Sequence, residues 1–171
     1  MSPDPDFSAS RRAFLKLRSQ PETVTFRPPW TDGRRIAASC TGCKACVSAC
    51  PESILQLDQT QKPMVVFDGR ECTFCGKCAE ACEEPVFDLH QPAPWDLKAG
   101  IGEGCLQQHG ISCQLCRDSC PTSAIRVDLT KRPFGSLTIA ADACTGCGAC
   151  LGVCPQDVIA ITHSNKGREA A

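Results

Sequence analysis

Sixteen cysteines in a chain of 171 residues are the feature that most restricts what this protein can fold into. They fall into four groups with nearly the same internal spacing: Cys40, Cys43, Cys46 and Cys50; Cys72, Cys75, Cys78 and Cys82; Cys105, Cys113, Cys116 and Cys120; and Cys144, Cys147, Cys150 and Cys154. Three groups read C-x2-C-x2-C-x3-C, whereas seven residues, 106–112, separate the first two cysteines of the third group. Such a cysteine content is typical of disulfide scaffolds and of metal proteins.

The spacing of the cysteines indicates [4Fe–4S] clusters held by iron–thiolate bonds. In the bacterial C-x2-C-x2-C-x3-C-P run, three cysteines bind one cluster and the fourth ligates the other cluster of a pair. A proline follows the fourth cysteine in three groups, as Pro51, Pro121 and Pro155. Pairing the first group with the second, and the third with the fourth, predicts four ligand sets: Cys40, Cys43, Cys46 and Cys82 for cluster 1; Cys50, Cys72, Cys75 and Cys78 for cluster 2; Cys105, Cys113, Cys116 and Cys154 for cluster 3; and Cys120, Cys144, Cys147 and Cys150 for cluster 4.

Zinc sites and disulfide bonds are the competing uses of these cysteines. Structural zinc takes four ligands from two CxxC pairs, so a third cysteine at the same interval would be redundant. A CxxCxxC run strains disulfide geometry, and no secretory signal points to an oxidising compartment. Two alternatives stay open for Cys105: it ligates iron from a lengthened loop, or its cluster keeps three cysteines and is labile.

Short apolar runs between the cysteine groups predict two β-hairpins, 54–57 with 64–67 and 124–127 with 137–140, each around a turn that contains proline. Short helices are expected to start near Cys46 and Cys78. The expected fold class is therefore α+β, with tandem bacterial-type 2×[4Fe–4S] ferredoxin modules of βαββαβ-like order. We expect this fold to be small, rich in loops and stabilised by its clusters.

Five segments follow from this pattern. We predict an N-terminal docking or extended segment at 1–35, a first dicluster module at 36–92, a linker rich in proline and glycine at 93–104, a second dicluster module at 105–165, and a tail at 166–171.

Composition restricts the remaining functions. The chain has no Tyr and 5% aromatic residues, which is too little for a large hydrophobic core, so we expect the apoprotein to be largely unstructured. The formal charge of −1 gives no attraction to nucleic acid, and no apolar run is long enough to span a membrane. No nucleotide-binding loop or catalytic triad is apparent, so an enzyme is not expected, and His90, His109 and His163 are predicted to be surface residues.

The N-terminal segment carries a second signal. Residues 10–16, Ser-Arg-Arg-Ala-Phe-Leu-Lys, resemble a twin-arginine export signature, but the apolar region and cleavage site of an export signal do not follow. We interpret Arg11, Arg12 and Phe14 as a docking element for a partner. Trp30 ends a rigid aromatic stretch, 26–30, that is suited to packing on the cluster domain or on a partner.

The order Ser-Arg-Arg, then Arg-Pro-Pro-Trp at 27–30, then four cysteine groups resembles the ferredoxin-type NapF family of periplasmic nitrate reductase systems. The resemblance implies a cytoplasmic iron–sulfur protein that contacts the precursor of the nitrate reductase catalytic subunit and helps to load its cluster before export. Electron transfer, also with other redox proteins, is implied as well. The alternative is an electron-transfer polyferredoxin subunit of a membrane-associated redox complex.

Overall fold

The structure, a computed structural model, describes residues 25–131 and 133–164. Within those residues it has short helices and short strands joined by turns. The helices are α1 (Gly33–Ser39), α2 (Ala45–Ala49), α3 (Lys77–Glu80) and α4 (Leu115–Asp118), and the strands are β1 (Leu55–Leu57), β2 (Pro63–Val65), β3 (Leu97–Ile101), β4 (Ile125–Asp128), β5 (Ser136–Ile139) and β6 (Ile159–His163).

Both predicted hairpins are present, with strand ends that differ by one or two residues from the prediction. Strands β1 and β2 pair antiparallel with Leu55 opposite Val65, and β4 and β5 pair with Ile125 opposite Ile139. The two hairpins turn in the same way, because an aspartate carboxylate accepts hydrogen bonds from the N–H and hydroxyl of the threonine two residues on. These pairs are Asp58 with Thr60, at 2.8 and 2.6 Å, and Asp128 with Thr130, at 3.0 and 2.6 Å.

A third two-stranded sheet forms between β3 and β6, with Leu97 opposite His163 and Ile101 opposite Ile159. Strand β3 lies inside 93–104, the stretch that its proline and glycine content assigned to a linker. Its apolar residues alternate along the strand, which places the buried Leu97 on the inner face. The order in the second half is β3, α4, β4, β5, β6, and residues 148–153 form turns where a second helix would complete a βαββαβ order.

Two buried clusters form the core, and the β3–β6 sheet joins them. The first contains Ile54, Leu55, Val65 and Phe67 together with Leu97 and Ile161. The second contains Ile125, Leu137 and Ile159. Because β6 contributes Ile161 to one cluster and Ile159 to the other, the two halves share a continuous interior.

The halves also meet at a close backbone approach. Gly148 has φ +91°, and a Cβ atom there would overlap the ring of Phe67 from the first half. The Trp95 indole N–H donates a 2.6 Å hydrogen bond to the carbonyl of Thr145 on the same side. Among the described residues, none of the helices combines the length and apolar character that crossing a membrane requires.

Candidate iron–sulfur centres

Four cavities of similar size lie along the molecule, and four cysteines line each of them. We number them by the predicted cluster. Cavity 1 is lined by Cys40, Cys43, Cys46 and Cys82; cavity 2 by Cys50, Cys72, Cys75 and Cys78; cavity 3 by Cys105, Cys113, Cys116 and Cys154; and cavity 4 by Cys120, Cys144, Cys147 and Cys150. The structure thus gathers each predicted set of four around one cavity.

Short helices carry cysteines from one cavity to the next. Helix α2 holds Cys46 at cavity 1, and Cys50, directly after the helix, reaches cavity 2. Helix α3 connects the same two cavities in the opposite direction: it holds Cys78 at cavity 2, and Cys82, after the helix, reaches cavity 1. The second half repeats this exchange with α4 and the turns at 148–153. Three residues lie between the two cysteines of each exchange, so a helical turn places the second cysteine about 6 Å farther along the helix axis, toward the neighbouring cavity.

The insertion at 106–112 folds back on Cys105 and does not carry it away from cavity 3. The carbonyl of Cys105 accepts hydrogen bonds from the N–H groups of Gln108, at 3.0 Å, and His109, at 3.2 Å. The Cys105 side chain is buried at the cavity. The site of the displaced cysteine is therefore lined by four cysteines, as the other three are.

Gln107 is a site residue that the sequence did not reveal. Its side chain is 3% exposed, and both ends of its amide are engaged. Nε2 donates to the carbonyl of Phe134 at 2.5 Å, and Oε1 accepts from the N–H of Cys113 at 3.0 Å. Gln107 thereby ties the insertion to the β4–β5 turn on one side and to a cavity cysteine on the other.

Burial of the thiols makes their thiolate forms unfavourable in the metal-free chain. Burial, reinforced by neighbouring thiolates, raises the pKa of Cys46 to about 11 and the pKa values of Cys78 and Cys150 to about 12. Burial likewise raises the pKa of Cys72 to about 11. Four thiolates gathered in an apolar cavity need a cationic core to offset their repulsion, and an iron–sulfur core supplies it.

Backbone N–H groups donate hydrogen bonds to two of the cysteine sulfurs of cavity 4. The N–H of Ala124 donates to Cys120 Sγ at 3.3 Å, and the N–H of Ala99 donates to Cys144 Sγ at 3.5 Å. Burial works to raise the pKa of Cys120, but hydrogen bonds from Thr122 and from backbone N–H groups outweigh it and leave that pKa lowered. Such bonds to ligand sulfur are one of the ways in which a protein tunes a cluster.

The cavities also differ in exposure to solvent. Three of the four cysteines of cavity 4 are buried, whereas Cys43 at cavity 1 and Cys75 at cavity 2 are exposed. The cysteines of cavity 4 are therefore the most buried of the four sets, and cavities 1 and 2 each have one cysteine exposed to solvent.

Contacts between cysteines place the cavities in the order 1, 2, 4, 3. Cys46 and Cys78, from cavities 1 and 2, lie in one buried cluster, and Cys116 and Cys150, from cavities 3 and 4, lie in the other. Cavities 2 and 4 meet across the two halves, where Cys72 hydrogen-bonds to the backbone of Cys147.

The donor set and the apolar lining of the cavities fit [4Fe–4S] clusters. A [4Fe–4S] core takes four cysteine thiolates, and the lining is otherwise largely apolar, as Ile54, Leu55 and Phe74 at cavity 2 illustrate. Over residues 25–131 and 133–164, no three His, Cys, Asp or Glu side chains are grouped so as to hold a single metal ion. The four thiols of each cavity instead surround a common space, as ligands of a core of several iron atoms do.

The other predicted site residues lie apart from the cysteines or outside the described residues. Trp30 is half-buried against cavity 2, with its ring centre 6.3 Å from that of Phe74. Arg11, Arg12 and Phe14 lie outside the residues that the structure describes. The three histidines are exposed, and His163 Nδ1 lies 2.7 Å from Asp96.

Comparison with known proteins defines the class of the molecule. The family described as "4Fe-4S dicluster domain" matches residues 39–86 and 111–158. The chain is therefore a ferredoxin-type iron–sulfur protein with two tandem dicluster domains, and its sixteen cysteines correspond to about four [4Fe–4S] clusters. Proteins of this type are electron carriers and not enzymes.

Similarity to curated proteins is more specific. The chain is 42% identical over 146 residues to ferredoxin-type protein NapF of Haemophilus influenzae, covering 85% of this chain and 83% of that protein. It is 38% identical over 152 residues to ferredoxin-type protein NapF of Escherichia coli, covering 88% and 93%. A methylamine utilization ferredoxin-type protein, MauM of Methylorubrum extorquens, is 31% identical over 161 residues, covering 83% and 73%. The chain belongs to the ferredoxin-type NapF family.

Proposed function

We propose that this chain is a cytoplasmic electron-transfer protein that helps to mature the catalytic subunit of a periplasmic nitrate reductase before its export. In this proposal each cavity holds one [4Fe–4S] cluster on its four cysteines, Cys105 included. When bound, such clusters accept and release single electrons. The observation that carries the proposal is the unbroken order of the four cavities, with cavities 2 and 4 in contact across the two halves.

The chain's own residues support this role by bringing the centres together and limiting their access to water. Helices α2 and α3 each place one cysteine at cavity 1 and one at cavity 2, which joins these two cavities. The backbone hydrogen bond between Cys72 and Cys147 joins the two halves. Trp30 and Phe74 close one wall of cavity 2 with aromatic rings. An electron that enters at one end can therefore pass to the other through neighbouring centres.

The proposed partner comes from the family and not from the geometry. Similarity to NapF covers most of this chain and most of the relative, and the relatives include a ferredoxin-type protein NapG. We take the partner to be the cytoplasmic precursor of the nitrate reductase catalytic subunit, contacted through the N-terminal segment. Arg11, Arg12 and Phe14 are the residues proposed to dock.

Capture of the partner by the intact holoprotein tests the proposal. Anaerobically purified protein is immobilised and offered the unprocessed precursor and the mature catalytic subunit separately. We expect retention of the precursor, and loss of retention when Arg11 and Arg12 are both changed to Ser. The matched control is Arg34→Ser, which removes a guanidinium that is 96% exposed elsewhere on the surface. Retention of the mature form alone, or of neither form, would contradict the maturation role.

A further inference from the structure

Two lysines bond to equivalent backbone carbonyl oxygens at two different centres. The ammonium of Lys62 donates a hydrogen bond to the carbonyl oxygen of Cys40, at cavity 1. The ammonium of Lys98 donates one to the carbonyl oxygen of Cys144, at cavity 4, at 2.5 Å. Cys40 and Cys144 are each the first cysteine of a Cys-Thr-Gly-Cys sequence, so the two lysines occupy equivalent positions relative to their centres.

A close backbone approach brings each lysine to its position. The glycine of each Cys-Thr-Gly-Cys sequence has a positive φ, +77° at Gly42 and +69° at Gly146. A Cβ atom at Gly42 would lie 2.9 Å from the carbonyl oxygen of Gln61, and one at Gly146 would overlap the carbonyl of Leu97. Gln61 and Leu97 are the residues directly before the two lysines, so only glycine lets these segments come so near.

The two lysines come from different parts of the fold. Lys62 lies in the turn between β1 and β2, whereas Lys98 lies on β3, which pairs with β6. The hairpin that is equivalent to β1–β2 is β4–β5, and Lys98 belongs to neither. The arrangement is therefore not a simple copy of one repeat in the other, and it recurs although the supporting elements differ.

We propose that Lys62 and Lys98 raise the reduction potentials of the centres in cavities 1 and 4. The inference rests on the ligand sets proposed above. Each ammonium bonds to a carbonyl of a cavity cysteine, so bond lengths place its positive charge within about 7 Å of that cysteine's sulfur. Adding an electron makes a centre more negative, and a nearby cation stabilises that reduced state. Both lysines are half-buried, so solvent ions screen this effect less than at an exposed site.

The experiment must separate the charge of the lysine from its hydrogen bond. Lys62→Gln and Lys98→Gln remove the charge but keep an N–H donor that can point toward the same carbonyl. Lys62→Arg and Lys98→Arg keep the charge and serve as rescue variants. Lys77→Gln is the matched control, because Lys77 precedes Cys78 of cavity 2 but its side chain is exposed. Each intact holoprotein is titrated anaerobically with EPR detection, and its iron is counted.

We expect each Gln variant to keep its iron, about sixteen atoms per chain, while one component of the titration moves to a more negative potential. A threefold to tenfold fall in the reduced-to-oxidised ratio at fixed potential is expected, the latter equal to about 59 mV for one electron. The Arg variants and Lys77→Gln should titrate like the wild type.

Two results would overturn the inference. One is an unchanged titration in both Gln variants at full iron content. The other is loss of iron from the Gln variants, because the lysines would then be structural ties and not sources of charge. A wild-type protein with far fewer than sixteen iron atoms would instead contradict the proposed ligand sets, so the two failures are distinguishable.

Discussion

The backbone N–H of Cys72 donates a 2.8 Å hydrogen bond to the carbonyl oxygen of Cys147, and these two cysteines line different cavities in different halves of the molecule. The bond joins cavity 2 directly to cavity 4. Around it the two halves approach closely, with Phe67 against Gly148 and Gly69 near Gly152. The contact between the halves is therefore also the contact between the two inner centres.

A methyl group at Gly148 should disrupt this contact. Gly148→Ala places a Cβ atom into the Phe67 ring, and overpacking of this kind costs about 1 to 3 kcal/mol. We expect cluster absorbance to decay faster in guanidinium, and electrons to equilibrate more slowly between the halves after partial reduction.

Gly69→Ala is the control for this variant. Gly69 also has a positive φ, +74°, but the nearest atom to its Cβ position is 3.8 Å away. It therefore carries the backbone strain without the overlap. Combining Gly148→Ala with Phe67→Ala should give a smaller loss than the sum of the single losses, since removing the ring relieves the clash. Additive losses would show that the ring is not the obstacle.

Gln107 should be needed for the iron content of cavity 3. Gln107→Leu keeps the volume but leaves the N–H of Cys113 and the carbonyl of Phe134 without their partner, which costs about 1 to 3 kcal/mol for each group that stays buried. We expect the loss of one to about four iron atoms per chain and the EPR signal of a three-iron cluster. Gln108→Leu, at the exposed neighbouring position, should keep full iron. Equal iron content in the two variants would show that Gln107 does not position this site.

The spacing of the cysteines along the chain predicted how they group around the cavities, but it did not predict the contacts between the modules. The C-x2-C-x2-C-x3-C pattern places its fourth cysteine one helical turn on, so the four sets around the cavities follow from distances along the chain. The hairpins were predictable for a similar reason, because Asp58 and Asp128 start turns that proline follows. These are local signals, and tertiary structure did not override them.

Contacts between distant segments were not predictable in this way. Strand β3 was assigned to a linker because prolines and glycines surround it. It pairs with β6 through Leu97 with His163 and Ile101 with Ile159, residues that lie 66 and 58 positions apart in the chain, and no short sequence pattern encodes such a pairing. Gln107 and Lys98 are single polar residues that bond to Phe134 and Cys144, 27 and 46 residues away. The order of the cavities depends on the Cys72 to Cys147 bond, and cysteine spacing carries no information about it.

Asp58 should stabilise the holoprotein at neutral pH. Hydrogen bonds from the Thr60 hydroxyl, from backbone N–H groups and from Arg27 hold the pKa of Asp58 well below its ordinary value, although partial burial opposes them. Because the native pKa is lowered, the contribution is present above the ordinary pKa of about 4 and is lost as the pH falls through the native value. The stabilisation should therefore be complete at pH 7 and still present at about pH 5.

The variant Asp58→Asn tests this, since it removes the charge that faces Arg27 at 2.8 Å. We expect a loss of about 1 kcal/mol, seen as faster decay of cluster absorbance in guanidinium at both pH values. Asp128→Asn is the control, because Asp128 makes the same turn with Thr130, and Thr130 and Lys131, not an arginine, lower its pKa. An equal effect of the two substitutions would mean that the bond to Arg27 contributes nothing.

The most direct test of the central claim is iron and acid-labile sulfide analysis of anaerobically purified protein, combined with EPR of the reduced form. Four centres of four iron atoms predict about sixteen iron and sixteen sulfide per chain, with the signals of reduced [4Fe–4S] clusters. Zinc in place of iron, or cysteines joined as disulfides without sulfide, would contradict the account.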